Sequence, residues 1–482
     1  MLDTDSGSLF SLGVPARERL AECLQRAISR ARRDGAGTLA TLTVALPADV
    51  DPSALASASR RAGEPWFVFE QPDRGRTALA GLGAAVSLHA SGKSRFTEVA
   101  ERWRALSAAA VSEQLDGCEG AAPVAVGGFA FAPDGGSSPH WAGFEPASLI
   151  VPELALVRGR RAGILSVRLT LATLASPDDM AEELLARVEG RLAELRMHEL
   201  PLLDPAPAGR FQIASAMPPE HFEAAVSRAV ELIGGGQMQK IVLAREVQVH
   251  APRDHDAAAV FGVLREEFPS CFVFCVGRGD ATLVAASPEL LVRREGHRVS
   301  TLALAGSTRR SADPAVDDHL GEQLLRNESY REEHAIVARG IERMLRPRAV
   351  WVAAAQEPEL VRIANIQHLA TPIRAQLATP MDALELAGLM HPTPAVGGEP
   401  LSRAAPLIPA LEGLDRGWYA GPVGWTDATG DGEFCVALRC ALLRGPIARC
   451  YAGNGIVRDS DPSAELAETE VKLSALLPLL AS

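Results

Sequence analysis

The segment Tyr451–Leu473, YAGNGIVRDSDPSAELAETEVKL, joins a glycine-rich stretch to the start of an acidic helix. In residues 453–455, GNG, small or missing side chains allow the backbone to come close to a bound group. We expect these residues to form a loop that exposes backbone N–H groups. The Asp461-Pro462 pair that follows supplies an N-cap and a first helical residue, so it predicts where the helix begins.

The predicted helix carries three charged residues on one face. Glu465, Glu468 and Lys472 fall at i, i+3 and i+7, so their side chains project from the same side. Two carboxylates and an ammonium beside exposed backbone amides can hold a hard divalent cation together with an anionic small molecule. The alternative is a solvated helix face with ordinary ion pairs. The rest of the chain bears on that choice.

Length and composition predict a soluble globular protein. The chain has 482 residues, enough for one large domain or two ordinary ones, with 47% apolar and 22% charged residues. Its formal net charge of -12 argues against a general nucleic-acid binder, because phosphate contacts need a basic surface. An anionic small-molecule substrate stays possible, since it needs only local cations.

The cysteines and the opening residues bear on cellular location. Seven cysteines are scattered without a CxxC pair or a zinc-ligand spacing: Cys23, Cys118, Cys271, Cys275, Cys435, Cys440 and Cys450. Such a set predicts reduced, mostly buried thiols. The opening MLDTDSGSLFSLG shows no basic segment followed by an apolar one, so we expect no export signal. No uncharged apolar run approaches the about 20 residues that a membrane span needs. We therefore predict a cytoplasmic protein without membrane contact.

Hydrophobic periodicity predicts several strands in succession with helices between them. Predicted helices are Val14–Arg33, Asp178–Met197, Glu328–Leu345 and one that begins at Pro219 and is stopped by Gly234-Gly235-Gly236. Predicted strands include Thr38–Leu46, Trp66–Glu70, Ile164–Thr173 and one that begins at Lys240, and GWYAGPVGW and GEFCVALRCALL are predicted to be neighbouring strands. Because there is no regular βαβ alternation, the pattern predicts an α+β fold with large, mostly antiparallel β-sheets packed with outer helices.

A proline-bearing segment, LPLLDPAPAGR (Leu200–Arg210), is the best candidate for a boundary within the chain. It would separate an N-terminal α+β portion, residues 1–205, from a second portion, residues 211–482. Because the segment is short, we expect the two portions to share one core.

Nine segments, in order and with consistent spacing, resemble the chorismate-utilising enzymes, and among them the isochorismate synthases of menaquinone or siderophore type. The segments are QKIVLAREV, ASPELLV, LALAGSTRR, EEHAIV, QHLATPI, HPTPAVGGEP, YAGPVGW, VALRCALL and AGNGIVRDSDPSAELAETEVKL. The match is dense from Pro218 to Leu480 and loose before residue 205. The resemblance implies that residues 211–482 form the chorismate-binding, catalytic portion.

The resemblance implies two catalytic residues. Lys240 would be the general base that activates a water, which requires an uncharged amine. Taken alone, it would more often be a solvated surface charge. Glu289 would be the general acid that protonates the departing hydroxyl, a task that an apolar, water-poor setting favours by raising its pKa. Taken alone, it would more often be a strand-end carboxylate that accepts backbone N–H bonds.

The resemblance also implies a magnesium site. Glu333 and Glu468 match the family's two metal ligands, and Glu465 would orient a metal-bound water. Two carboxylates, waters and a substrate carboxylate suit magnesium, which prefers octahedral oxygen ligation. One position departs from the family pattern: in the outer part of the metal shell, where many relatives have an acidic residue, this chain has Tyr330.

The remaining implied site residues would hold a dianionic ring. Arg439, expected on the VALRC strand, would grip a carboxylate by its fork, and Lys472 would add a second cation. A structural ion pair is the alternative for Arg439, and a satisfied core histidine is the alternative for His368. The other substrate-binding residues implied by the resemblance are Gly306, Ser307, Ala395, Tyr419, Gly453 and Gly455.

The resemblance implies a reaction as well. Relatives that eliminate pyruvate usually carry Thr where this chain has Ala395, so the reaction is expected to stop at isochorismate, made from chorismate with Mg²⁺ and used for menaquinone or a catechol siderophore. No obligate protein partner is predicted. One alternative is an anthranilate, aminodeoxychorismate or salicylate synthase, served by a glutamine amidotransferase where ammonia is used. The other is a non-catalytic, ligand-binding relative.

Overall fold

A computed structural model of the chain describes residues 2–3, 10–115, 117–118, 122–161, 164–204, 207–363 and 366–481. The α-helices are α1 Val14–Asp34, α2 Pro52–Ser59, α3 Arg95–Ala108, α4 Ala181–Ala193, α5 Pro219–Gly234, α6 Ala257–Glu267, α7 Pro314–Arg326, α8 Glu328–Leu345, α9 Ala383–Met390, α10 Leu401–Ala404, α11 Leu407–Glu412, α12 Pro462–Leu473 and α13 Leu477–Leu480. No helix in these ranges is both long and apolar enough to cross a membrane.

The β-strands are β1 Leu2–Asp3, β2 Ser11–Leu12, β3 Thr38–Leu46, β4 Trp66–Gln71, β5 Thr77–Leu82, β6 Val86–Ala90, β7 Val111–Gln114, β8 Val124–Phe129, β9 Ala147–Val151, β10 Leu154–Arg161, β11 Ile164–Ala175, β12 Gln212–Ser215, β13 Lys240–His250, β14 Phe272–Arg278, β15 Ala281–Ser287, β16 Leu290–Glu295, β17 Arg298–Arg309, β18 Ala349–Ala354, β19 Glu359–Ile363, β20 Ile366–Leu377, β21 Gly398–Glu399, β22 Pro422–Asp427, β23 Gly432–Val436, β24 Cys440–Arg444 and β25 Ile447–Ile456.

Two large sheets organise these strands. A 13-stranded sheet has the order β12-β13-β25-β24-β15-β14-β4-β5-β10-β11-β3-β7, with β21 paired to β13. A 10-stranded sheet has the order β18-β20-β17-β16-β23-β22-β8-β9-β6, with β19 paired to β20. Neighbouring strands run antiparallel throughout the described residues except for the parallel pair β3 and β7. The predicted α+β fold with mostly antiparallel sheets is therefore confirmed.

The hydrophobic core forms two layers, one on each face of the larger sheet. Along β4, Phe67 and Phe69 belong to the core cluster that also contains Phe129 and Phe434 of the smaller sheet. Trp66 and Val68 point the other way, into a cluster shared with buried residues of α1, α4 and α6. This alternation follows the two-residue period of a strand. The larger sheet is thus covered by the smaller sheet on one face and by helices on the other.

Both sheets combine strands from before and after the predicted boundary at Leu200–Arg210. In the larger sheet β4 pairs with β14, and in the smaller sheet β8 pairs with β22. Pro205 and Ala206, inside the boundary segment, lie outside the described residues. The division into residues 1–205 and 211–482 stays a prediction about the chain's organisation.

Three local predictions were wrong. The helix predicted for Asp178–Met197 is shorter in the structure, where only α4 is helical. It begins later because Ser176 and Asp179 hydrogen-bond each other in a turn before it. It ends earlier because Glu194 and Leu195 donate to the carbonyls of Arg191 and Leu192, three residues back. The predicted GNG loop is part of β25, paired with β13. GEFCVALRCALL is not one strand, because β23 lies in the smaller sheet and β24 in the larger one.

A tight turn leads into β22 and supplies the backbone around Tyr419. Gly417 in this turn has a φ of 49°. A Cβ at this position would collide with the indole ring of Trp141, which is fully buried and donates its Nε1–H to the Asp415 carbonyl at 3.1 Å. The glycine is therefore required twice, by its backbone conformation and by the ring packed against it.

We predict that Gly417→Ala lowers the thermal unfolding midpoint more than Gly35→Ala does. Gly35 also has a positive φ of 65°, but nothing lies within 4 Å of a Cβ placed there. Gly35→Ala therefore meets only backbone strain, about 1–2 kcal/mol, whereas Gly417→Ala adds the cost of overpacking, about 1–3 kcal/mol. Differential scanning calorimetry measures both midpoints, and equal losses would contradict the role given to Trp141.

Candidate active site

A cavity of about 310 Å³ lies where strands of the two sheets meet α8 and α12. β13 and β25 supply one wall, and β17 and β20 supply another. The cavity is lined by every site residue predicted from the sequence, namely Lys240, Glu289, Gly306, Ser307, Glu333, His368, Ala395, Tyr419, Arg439, Gly453, Gly455, Glu465, Glu468 and Lys472. Residues more than 200 positions apart in the chain thus share one small site.

Lys240 is buried at the first position of β13. Its side chain is 1% exposed, and its Nζ lies 2.9 Å from Oε1 of Glu333 on α8. The alternative of a solvated surface lysine is therefore wrong. A Cβ at position 455 would collide with both members of this ion pair, so the pair packs directly on the backbone of β25 at Gly455. The ion pair thus comes close to the backbone of the GNG stretch. The predicted close approach of a bound group to this stretch stays a prediction.

Glu289 lies between β15 and β16 and is 4% exposed. No hydrogen bond to its carboxyl group is found among the described residues, although its backbone N–H donates to Ser287 Oγ at 3.2 Å. Burial raises the pKa of Glu289 to about 8, and the positive charge of Lys240 offsets this only in part. Glu289 is therefore a protonated acid at neutral pH, and the alternative of a carboxylate held by backbone N–H groups is not observed.

The acidic face of α12 is directed into the cavity and is held there by hydrogen bonds. Glu468 Oε1 accepts from Ser307 Oγ at 2.6 Å and lies 2.8 Å from Lys472 Nζ. Burial acts to raise the pKa of Glu468, but Lys472 and Ser307 outweigh it and hold that pKa below its usual range. Burial, followed by the charge of Glu468, raises the pKa of Glu465 to about 7. The alternative of a solvated helix face is wrong.

Three carboxylates converge on this part of the cavity. Glu333, Glu465 and Glu468 line it together with Tyr330. Burial raises the pKa of the Tyr330 phenol, and the negative charges of the three glutamates raise it further. In the described ranges, no three His, Cys, Asp or Glu side chains are grouped tightly enough to hold a metal ion unaided. Glu333 and Glu468 each contact a lysine instead. The donor set that could hold a cation is thus two carboxylates together with water or ligand oxygens.

Arg439 and His368 form the anion-binding end of the cavity. Arg439 Nη2 donates to His368 Nε2 at 2.6 Å, while its Nη1 is buried and has no hydrogen-bond partner in the described part of the chain. Burial and then the charges of Arg439 and Lys472 hold the pKa of His368 well below its usual range, so the imidazole is neutral and can accept. Burial also lowers the pKa of Arg439. A buried N–H without a partner is costly, and a ligand carboxylate would satisfy it.

The backbone position of Arg439 corrects the sequence prediction. Arg439 was expected on a strand, but it lies between β23 and β24 with a φ of 46°. The chain leaves the smaller sheet and enters the larger one here, and this crossing turns the guanidinium towards the cavity. The side-chain hydrogen bond of Arg439 goes to His368, and no ion pair of Arg439 is found among the described residues, so its alternative role as a structural ion-pair partner is not observed there.

Two buried polar residues at the cavity were not predicted. Arg416 lines it and donates to the carbonyls of Val396 at 2.9 Å and Val242 at 3.0 Å, and also to Glu412. The i, i+4 spacing of Glu412 and Arg416 was the available signal for this pair. The second is Asn454, which was considered in the sequence only for its small size. In the structure its side-chain amide hydrogen-bonds Glu465 and Lys472.

We predict that Glu289→Gln raises the unfolding midpoint relative to the parent protein, and that the gain grows between about pH 5 and about pH 8. The folded protein keeps a proton on Glu289 up to a pKa of about 8, whereas the unfolded chain releases it near 4.5. Parent stability therefore falls as pH rises through this window, and an amide removes that loss. Glu231→Gln, at an exposed helix position, controls for loss of a charge. A gain that shrinks as pH rises would contradict the burial effect.

Several known proteins are similar to this chain in sequence. The sequence model of the family described as "chorismate binding enzyme" matches residues 25–481. The chain is 39% identical to a salicylate biosynthesis isochorismate synthase of Pseudomonas aeruginosa, over 87% of this chain and 85% of that protein. It is 32% identical to isochorismate synthase MenF of Bacillus subtilis, over 86% and 87% of the two chains.

A solved structure resembles the chain over nearly its full length. The menaquinone-specific isochorismate synthase MenF from Escherichia coli superposes with a TM-score of 0.76 at 26% identity, covering 95% of this chain and all of that one. The family match along almost the whole sequence, together with relatives that share more than 30% identity along most of both chains, shows that this protein belongs to the chorismate binding enzyme family.

Proposed function

We propose that this enzyme is an isochorismate synthase that converts chorismate to isochorismate by adding water at C2 and releasing the C4 hydroxyl. The observation that carries the proposal is the burial of Lys240 and Glu289 in one cavity, the first beside a carboxylate and the second protonated at neutral pH. The curated relatives described above bear the same activity in their names.

The two side chains have separate tasks in this reaction. To act as the base, Lys240 must leave its ion pair with Glu333 as an uncharged amine. It then takes a proton from a water molecule, and the resulting hydroxide oxygen bonds to C2 of the ring. Glu289 gives its proton to the C4 hydroxyl, which leaves as water while the double bonds shift. One water is consumed and one is released, so the reaction is an isomerisation. Environments that separate the protonation states of two nearby groups are the usual basis for such a division.

Charged groups at the two ends of the cavity would hold the substrate. Arg439 offers its unpartnered Nη1 to a carboxylate, and His368 keeps the guanidinium in place. Tyr419, Ser307 and Ala395 line the walls beside Gly306 and Gly453. Lys472 supplies a further positive charge, although in this state it is engaged by Glu468, Asn454 and the Gly453 carbonyl.

We further propose that the site takes Mg²⁺, held by Glu333 and Glu468 with Glu465 orienting a bound water. Magnesium usually binds through one or two carboxylates and keeps several waters, so the absence of a tight three-ligand group among the described residues is compatible with it. The pKa of Glu465 is raised first by burial and then by the negative charge of Glu468, and this second effect indicates crowded negative charge that a cation would relieve. When bound, the ion would neutralise a substrate carboxylate.

Ala395 favours isochorismate as the final product, because a threonine hydroxyl would add a hydrogen-bonding group at this position on the cavity wall. A pathway to menaquinone or to a catechol siderophore fits such a product. We place the enzyme in the cytoplasm and propose that it works without an obligate protein partner. The sister reaction with ammonia, or pyruvate elimination, is the competing proposal.

We predict that chorismate and Mg²⁺ give isochorismate as the main product, with or without ammonium. Chromatography of the products against standards measures this, and chelation of the metal is expected to stop turnover. Anthranilate, aminodeoxychorismate or salicylate as the main product would overturn the proposed reaction. Chorismate left unchanged by folded protein with Mg²⁺ would favour a non-catalytic relative.

We predict that Lys240→Ala and Glu289→Gln each lower kcat by about 10²–10⁴-fold, the usual contribution of a positioned acid or base. Lys93→Ala is the matched control, because the same substitution is made at an exposed lysine outside the cavity. Steady-state rates of isochorismate formation measure the effect, with calorimetry to confirm folding. Full turnover by folded Lys240→Ala would contradict its assignment as the base.

A further inference from the structure

Asn454 occupies a buried position near the end of β25 and faces α12. Its side chain is 2% exposed. Its Nδ2 donates to the Glu465 carbonyl at 2.7 Å and to Glu465 Oε2 at 2.8 Å, and its Oδ1 accepts from Lys472 Nζ at 2.8 Å. A single amide thus bonds two oppositely charged residues of the same helix.

A buried amide at this place needs a reason. Burying a polar group costs free energy unless it is hydrogen-bonded, and the flanking Ala452 and Ile456 of the same strand are buried apolar residues. An apolar residue at 454 would fit the strand without that cost. What the amide adds is a fixed connection between β25 and the charged face of α12.

The two contacts have different consequences for the cavity. The bond from Nδ2 turns one oxygen of Glu465 towards the strand and fixes the orientation of the carboxylate. The bond to Oδ1 gives Lys472 an acceptor besides Glu468 and the Gly453 carbonyl. Lys472 can therefore release Glu468 to another cation and still keep two acceptors.

We propose that Asn454 is a positioning residue for a divalent cation, acting through Glu465 and Lys472. The inference rests on the proposed function, because it assigns Asn454 to the metal site of that reaction. Residues that hydrogen-bond the groups around a metal typically change its affinity by about 10–100-fold when they are removed. Asn454 touches neither of the two proposed ligands, Glu333 and Glu468, and acts on their neighbours.

The test is direct binding of Mn²⁺, which reports on a magnesium site through the electron paramagnetic resonance signal of the free ion. We expect Asn454→Ala to weaken Mn²⁺ binding by about 10-fold or more, with chorismate present and with the metal alone. Thr469→Ala is the matched control, because Thr469 is a buried residue of α12 that bonds Arg245 and does not line the cavity. Calorimetry confirms that each variant is folded.

A double-mutant cycle separates positioning from a general loosening of the helix. In a Glu465→Ala background, Asn454→Ala is expected to keep only the part of its effect on Mn²⁺ affinity that acts through Lys472, so the two substitutions are not additive. Equal affinities for the parent protein and Asn454→Ala, equal losses in Asn454→Ala and Thr469→Ala, or full additivity in the cycle would each overturn the role of Asn454. Absence of Mn²⁺ binding to the parent protein under both conditions would overturn the metal proposal itself, and the role of Asn454 with it.

Discussion

The ion pair between Lys240 and Glu333 is the contact on which the geometry of the cavity depends. Lys240 begins a strand of the larger sheet, while Glu333 belongs to α8, which packs on β17 of the smaller sheet. The pair therefore connects the two halves of the molecule at the site itself. Two buried charges are stable only when they are well paired, so neither sheet can shift here without exposing an uncompensated charge. The backbone at Gly455 leaves the space that this pair requires.

Four glutamates in the cavity show how surroundings set the behaviour of one residue type. Glu289 lacks a hydrogen bond to its carboxyl among the described residues, and it keeps a proton. Glu468 is paired with Lys472 and accepts a hydrogen bond from the Ser307 hydroxyl, and these contacts lower its pKa. Glu465 lies between these cases, because an amide bonds it while a neighbouring carboxylate repels it. Glu333 contacts the buried lysine. Such differences allow an acid and cation-binding carboxylates to coexist within one small volume.

Local sequence pattern predicted the regular elements well and failed where distant contacts decide. Thr38–Leu46 and Glu328–Leu345 were predicted with their observed bounds, because periodicity and flanking residues are local signals. The prediction of a loop at the GNG stretch was wrong, because this stretch lies within a strand and Gly455 allows close packing against the ion pair of Lys240 and Glu333. The prediction of one strand running through Arg439 was wrong, because a chain that passes from one sheet to another keeps the same hydrophobic character. The convergence of the site residues was predicted only by the resemblance to a family, since no local pattern indicates which distant residues meet. For the contacts of the Asn454 amide, neither a local pattern nor the resemblance gave a signal.

The placement of β24 and β25 has a consequence for how the molecule assembles during synthesis. This hairpin lies between β13 and β15 in the larger sheet, yet it is encoded after both of them. Until the ribosome has released it, β13 and β15 each carry an open edge, and open edges invite pairing with other chains. The nascent polypeptide therefore keeps these edges exposed until β24 and β25 have been synthesised. Unpaired strand edges of this kind make a folding intermediate prone to aggregation, which molecular chaperones counteract.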